Sequence, residues 1–205
     1  MADPADRCSL IQAPWADQEA FVLGAVRADP IAAVILERAD HLGAPSWALA
    51  AGAVYQNVWN ALTGRPAGHG VRDYDLAYCD TSDLSWTGED AVIARATDLF
   101  ADVQKPVEAR NQARVHLWFE DKYGEPRQPI TSIESALLGY AAPAHMVAVR
   151  RGAHGVLEVV APRGLEDVFA MVIRPDRPEA YTADLMDKAA RMQAIWPELR
   201  LETGL

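Results

Sequence analysis

The sequence has 205 residues, half of them apolar and 23% charged, with 29 acidic against 19 basic side chains and a formal net charge of −10. That length suits one domain, the composition is that of a globular chain, and the lack of an apolar run of about 18 residues gives no transmembrane helix. The acidic balance disfavours long nucleic acid as a partner, because affinity there comes mainly from Lys and Arg neutralising phosphates.

Residues 1–14 read as a flexible tail. The start, MADPADRCSL, is acidic and lacks the cationic-then-apolar order of a secretory signal. Cys8 and Cys79 are far apart and belong to no CxxC pair, which predicts reduced thiols and a cytoplasmic protein. Two helices follow. The second is punctuated by Asp29 as cap, Pro30 in the first turn and Gly43 as stop, with Ile31, Val34, Ile35 and Leu42 as its apolar stripe. SWALAAG (46–52) reads as a short buried strand ending at Gly52, and residues 53–64 as a helix carrying Tyr55, Val58, Trp59 and Leu62 on one face. Residues 71–79 read as a second strand. Residues 89–103 read as a helix with a Thr87–Asp90 capping box. ARVHLWFE (113–120) alternates, which predicts a third strand with Arg114, His116, Trp118 and Glu120 on one face. A helix over 132–140 with a Thr131–Glu134 capping box comes next. HMVAVR and VLEVVAP then form a β-hairpin. Helices over 164–173 and about 179–196 close the chain, the last one carrying Tyr181, Leu185, Ala189, Met192 and Trp196. Strands alternating with helices define an α/β fold with a mixed sheet.

The chemistry concentrates in VRDYDLAYCD (71–80). Positions 73 and 75 of a strand point to one side, so Asp73 and Asp75 repel unless a cation lies between them. The residues alone leave two readings, solvated carboxylates at a strand end or hard oxygen ligands for Mg²⁺. Upstream, a strand that ends in Gly52 and opens a helix offers free N–H groups and a helix dipole to a phosphate. Arg110, Asn111 and Arg114 form a trio that either contacts phosphate or pairs with the surplus acids.

The stretches AGAVYQNVWNALTGRP, VRDYDLAYCD, RNQARVHLWFEDKYG, SIESAL, APRGLEDVF and WPEL run from about residue 47 to the C-terminus. Together they resemble an uncharacterised bacterial family of nucleotidyltransferases within the polymerase-beta-type superfamily. The resemblance implies a single domain over 1–205, a nucleotidyltransferase-like core with flanking N- and C-terminal helices, the segment 165–205 packing on the core. It implies phosphate or substrate binding by Gly52, Ala53, Asn57, Arg110 and Arg114, and metal binding by Asp73 and Asp75. The third acidic position is expected on strand 114–120, where His116 stands instead as a catalytic candidate, with Glu120 four residues on as a metal ligand. The implied activity is Mg²⁺-dependent transfer of a nucleoside monophosphate from an NTP to an acceptor hydroxyl, releasing pyrophosphate. The alternative, motivated by the missing third carboxylate, is a catalytically degenerate nucleotide- or metal-binding module that acts through a protein partner.

Overall fold

Helices come first. The computed structural model describes residues 4–177 and 182–202. Where the sequence suggested a loose tail, Pro4–Gln12 forms α1, followed by α2 (Trp15–Arg27) and α3 (Pro30–Arg38). The Asp29 side chain accepts from the Ile31 N–H at 3.0 Å and caps α3 as its place before Pro30 predicts. Gly43 ends the following 3₁₀ turn in the left-handed conformation, at φ 64°. β1 (Ala48–Ala50) then leads into α4 (Gly52–Thr63), β2 (Tyr74–Tyr78), α5 (Trp86–Leu99) and β3 (Val107–Asn111). α6 (His116–Tyr123) and α7 (Ile133–Leu137) precede a hairpin of β4 (Ala148–Arg151) and β5 (Leu157–Val160). The C-terminal part holds α8 (Glu166–Ala170), β6 (Val172–Ile173), α9 (Ala183–Ile195) and β7 (Arg200–Leu201).

Five strands form one mixed sheet in the order β3-β2-β1-β4-β5 among the described residues, parallel between β2 and β3 and antiparallel elsewhere. β1 is central and buried on both sides, which explains a strand made only of Ala and Leu. One face of the sheet carries Leu49, Tyr74, Leu76 and Val149. Tyr74 on this face donates its hydroxyl to Asp29 at 2.6 Å, so the face lies under the α3–α4 layer. The other face presents Ala48, Ala50, Asp75, Ala77, Glu108 and Arg110 in register. Its small side chains make a shallow floor.

Three local expectations are corrected. The third strand is not 113–120 but β3, one segment earlier. The Asn111 side chain accepts from the Ala113 N–H at 3.1 Å and starts a 3₁₀ turn over Gln112–Arg114 that takes the chain off the sheet. Val115 and Phe119 then recur at helical spacing in and beside α6, against a hydrophobic alternation that had read as strand. The caps also shift. Ser85, not Thr87, caps α5 by accepting from Gly88 N–H at 3.0 Å, and Ser132 caps α7 in a box with Ser135 rather than Thr131 with Glu134. The helix expected over 164–173 stops at Ala170, because Met171 is left-handed (φ 53°) and Val172–Ile173 pairs in parallel with β7. Tyr181 lies outside the described residues. Cys8 and Cys79 are free thiols. No helix among the described residues is long and apolar enough to cross a membrane.

Asp29 does more than cap. It is buried, and it also accepts from the Asn57 side-chain amide at 3.0 Å. Asp29→Ala strips the cap and leaves the Tyr74 hydroxyl and the Asn57 amide facing a gap, so a loss of about 2–4 kcal/mol is expected in urea unfolding. An unchanged midpoint would mean that water replaces the carboxylate.

α9 is locked along α4. Trp196 meets Trp59 edge-to-face at 5.4 Å and donates to Asn60 Oδ1 at 3.0 Å, while Tyr55 Oη reaches Met192 Sδ at 3.9 Å. Positions 188, 192 and 196 share a helix face at spacing of four. The face that meets Trp59 through Trp196 and Tyr55 through Met192 therefore brings Lys188 to the first turn of α4.

Candidate active site

The sheet register decides where the polar residues meet. β1 and β2 are antiparallel with Ala50 opposite Asp75, so the turn after β1 lies beside the start of β2. β3 runs parallel to β2 with Glu108 opposite Asp75. Directly paired residues share a face. The Ala51–Gly52 turn, Asp73, Asp75 and Glu108 therefore gather at one end of the sheet, so the carboxylate beside the aspartates is Glu108 and not a residue of 114–120.

The turn is strained where it leaves β1. Ala51 has φ 47° and ψ −111°, a backbone that an L side chain rarely adopts and that costs about 1–3 kcal/mol. Its N–H is held by the Val147 carbonyl at 2.8 Å, and its own carbonyl accepts from Val54 and Tyr55. The N–H groups of Gly52 and Ala53 find no acceptor among the described residues, as befits the open first turn of a helix. A Cβ at Gly52 would stand 3.0 Å from Gln56 Nε2, so glycine keeps this approach clear.

Asp75 is open to the water of a cleft, yet protein surrounds it on most sides. That partial burial, with the neighbouring Asp73 next in importance, pushes its pKa up to about 6. Glu108 adds to the repulsion, while Lys188 and Arg110 oppose it. Like charges held together favour a cation, and an all-carboxylate donor set suits Mg²⁺ or Mn²⁺ rather than a softer metal. As placed, no three His, Cys, Asp or Glu side chains among the described residues converge closely enough to hold a metal ion. Glu108 Oε2 is turned to Arg110 Nη2 at 3.3 Å instead. That pair is half exposed, so a rotamer change that frees Glu108 costs at most about 1 kcal/mol.

Over this face lies a cavity of about 650 Å³, within the range of small-molecule sites, lined among others by Asp75, Arg110, Trp118, Tyr140, His145 and Lys188. His145 is buried and stacks on Tyr55 with ring centroids 5.0 Å apart. Burial holds its pKa well below the usual histidine range, so the imidazole is neutral.

The residues picked out from the sequence divide. Gly52, Ala53, Asp73, Asp75 and Arg110 come together. Asn57 does not join them: it is buried and fully engaged with Asp29, the Ala53 carbonyl and the Gly68 N–H, the last at 2.7 Å. Arg114 is turned away into an ion pair with Glu89, donates to the Leu84 carbonyl at 3.0 Å and lies over the Trp86 ring. His116 and Glu120 sit on α6 and do not line the cavity; Glu120 is exposed. Glu108, His145 and Lys188 were missed. Val-Glu-Ala-Arg-Asn does alternate, with Glu108 and Arg110 outward, which was the available signal for Glu108; nothing local singled out the other two.

A protein-family model described as nucleotidyltransferase matches residues 37–201. A solved structure whose description reads that the NMR structure of the protein reveals a CCA-adding enzyme head domain is 25% identical and superposes with a TM-score of 0.68. The match covers 89% of this chain and 95% of that one. A tRNA-processing enzyme in an apo form aligns at 15% identity and a TM-score of 0.44, over 82% of this chain and 44% of that one, a likeness too remote to carry an argument. No curated protein matches the sequence.

Proposed function

The chain belongs to this nucleotidyltransferase family, and on that premise we propose that it transfers a nucleoside monophosphate from an NTP to an acceptor hydroxyl and releases pyrophosphate. The observation that carries the reading is the register that sets Asp75 opposite both Ala50 and Glu108, beside the strained turn into α4. The whole chain, 1–205, acts as one nucleotidyltransferase-like domain of the cytoplasm. Likeness to a CCA-adding enzyme head domain supports nucleotidyl transfer. The net charge of −10 makes a small molecule or a protein a better acceptor than a long RNA.

Asp73 and Asp75 are the residues that would hold Mg²⁺, with Glu108 beside them once freed from Arg110, and the chemistry of the ion there would be to draw charge from the phosphates and steady the pyrophosphate leaving group. The Gly52 and Ala53 N–H groups point along the positive end of the α4 dipole and hold phosphate oxygens. Arg110 neutralises charge on the same face. Glu108 takes the proton of the acceptor hydroxyl as its oxygen bonds to the α-phosphorus. The bond from that phosphorus to the bridging oxygen breaks, and pyrophosphate leaves with the electron pair.

The test is calorimetric titration with the four NTPs, with and without Mg²⁺, at several pH values, followed by a pyrophosphate-release assay. Magnesium-dependent binding of at least one NTP is expected at pH 8. Asp75 must be ionised to hold a cation, so this binding weakens as pH falls through about 6. Metal-free stability runs the other way. A carboxyl whose pKa is raised on folding binds a proton that the unfolded chain releases, so its contribution is lost as pH rises from 3.8 to about 6. Equal NTP binding with and without Mg²⁺ at every pH would sink the metal-site reading. No binding of any NTP would sink the proposed reaction.

A further inference from the structure

The first turn of α4 has three polar neighbours that the carboxylate site does not use. His145 is 4% exposed and lines the cavity, and its Nε2 has no hydrogen-bond partner among the described residues. Buried polar atoms are almost always satisfied, so an orphan at a cavity wall marks a place where a ligand completes the bond. Gln56, on α4 itself, holds its Nε2 amide, a donor, 3.0 Å from where a Gly52 side chain would stand. Lys188 reaches the same place from α9. It makes no ion pair among the described residues, lines the cavity with Ala51 and Asp75, and its charge bears on Tyr55, Asp75 and His145 together.

The placement follows from packing. Tyr55, one turn into α4, points its side chain back toward the helix start and carries the His145 ring on its face. His145 precedes β4, and β4 is antiparallel to β1 with Ala148 opposite Ala50, which puts the residues before β4 beside the turn after β1. The Ala51 N–H bonded to Val147 fixes that neighbourhood. From the opposite side, the Trp196–Met192–Lys188 face of α9 matches Trp59, Tyr55 and the α4 start in order. An ammonium, a neutral imidazole nitrogen, a side-chain amide and two free backbone N–H groups thus lie around the start of α4, on the side of Asp75. Donors of this kind without an acceptor are a seat for a multiply charged oxyanion.

We propose that Lys188, His145 and Gln56 seat the triphosphate tail of the NTP at the N-terminus of α4, so that the C-terminal helix is part of the nucleotide site. The assignment rests on the nucleotidyl-transfer reading and adds to it three positioning residues, one of them from α9.

The probe is inorganic tripolyphosphate, compared with an NTP and the matching nucleoside monophosphate, all titrated with Mg²⁺ into wild type, Lys188→Met, Lys188→Arg and His145→Phe. Lys188→Met is expected to weaken tripolyphosphate and NTP by about 10- to 100-fold, the range of a lost charge-assisted contact, and to leave monophosphate binding unchanged. Lys188→Arg restores most of the affinity. His145→Phe keeps the stack on Tyr55, removes the nitrogen and weakens the same two ligands by about 3- to 10-fold. Wild-type NTP binding with unchanged tripolyphosphate affinity in both Lys188→Met and His145→Phe overturns this proposal alone. An equal loss for monophosphate also overturns it, because the cavity as a whole would then have changed. A wild type that binds neither NTP nor tripolyphosphate overturns the nucleotidyl-transfer reading with it.

Discussion

Asp75→Asn is expected to lower the rate of pyrophosphate release by about 10³-fold or more while the protein stays folded. Asparagine keeps the shape and one oxygen but removes the charge, and a hard divalent cation is held mainly by charge. The same charge burdens the metal-free protein, since burial and Asp73 both push the Asp75 pKa up to about 6. Asp75→Asn therefore raises the thermal midpoint without metal and abolishes the stabilisation that Mg²⁺ and NTP give the wild type. Two readouts moving in opposite directions separate a site residue from a structural one. Release within about tenfold of wild type, or a midpoint that falls, would remove Asp75 from the centre of the reaction.

Part of this fold and site is legible in the sequence, and the part differs from residue to residue. Asp29, Pro30 and Gly43 work as read, because caps and left-handed stops are local decisions of a few backbone groups. Asp73 and Asp75 stand out in the sequence because two like charges at spacing two are conspicuous beside an apolar run. Glu108 was passed over for the opposite reason. It sits in a five-residue strand with charges at alternate positions, next to a longer segment, ARVHLWFE, whose alternation mimics a strand more strongly. The decision between them is made by the Asn111 side chain, which bonds the Asp80 backbone from both its ends and caps the turn that follows. That is a contact across 31 residues, outside the reach of any periodicity. His145 and Lys188 are harder still. Each is an ordinary residue in its own element, and only the β1–β4 pairing and the α9–α4 packing bring them to the Ala51 turn. The strain at Ala51 had no signal, since alanine at φ 47° is a conformation that surroundings impose.

The correction of the third strand carries the second large prediction. If the third acid is Glu108, then Glu108→Gln lowers pyrophosphate release by about 10²- to 10³-fold, the range for a lost proton acceptor. His116→Ala and Glu120→Gln, on α6 and off the cavity, leave the rate within about threefold. Stability helps to read the outcome. Glu108 is exposed and its ion pair with Arg110 is a surface pair, so Glu108→Gln shifts unfolding by no more than about 0.5 kcal/mol. A rate lost at constant stability is then a loss of chemistry. The pH profile sharpens it further: with Glu108 gone, the limb of the rate profile that reports the base is removed, whereas a merely weakened metal site shifts with Mg²⁺ concentration and is recovered by more of it. A Glu108→Gln protein as active as wild type, beside an inactive His116→Ala, would return the third position to α6, and the register of β3 against β2 would no longer be the feature that assembles the site.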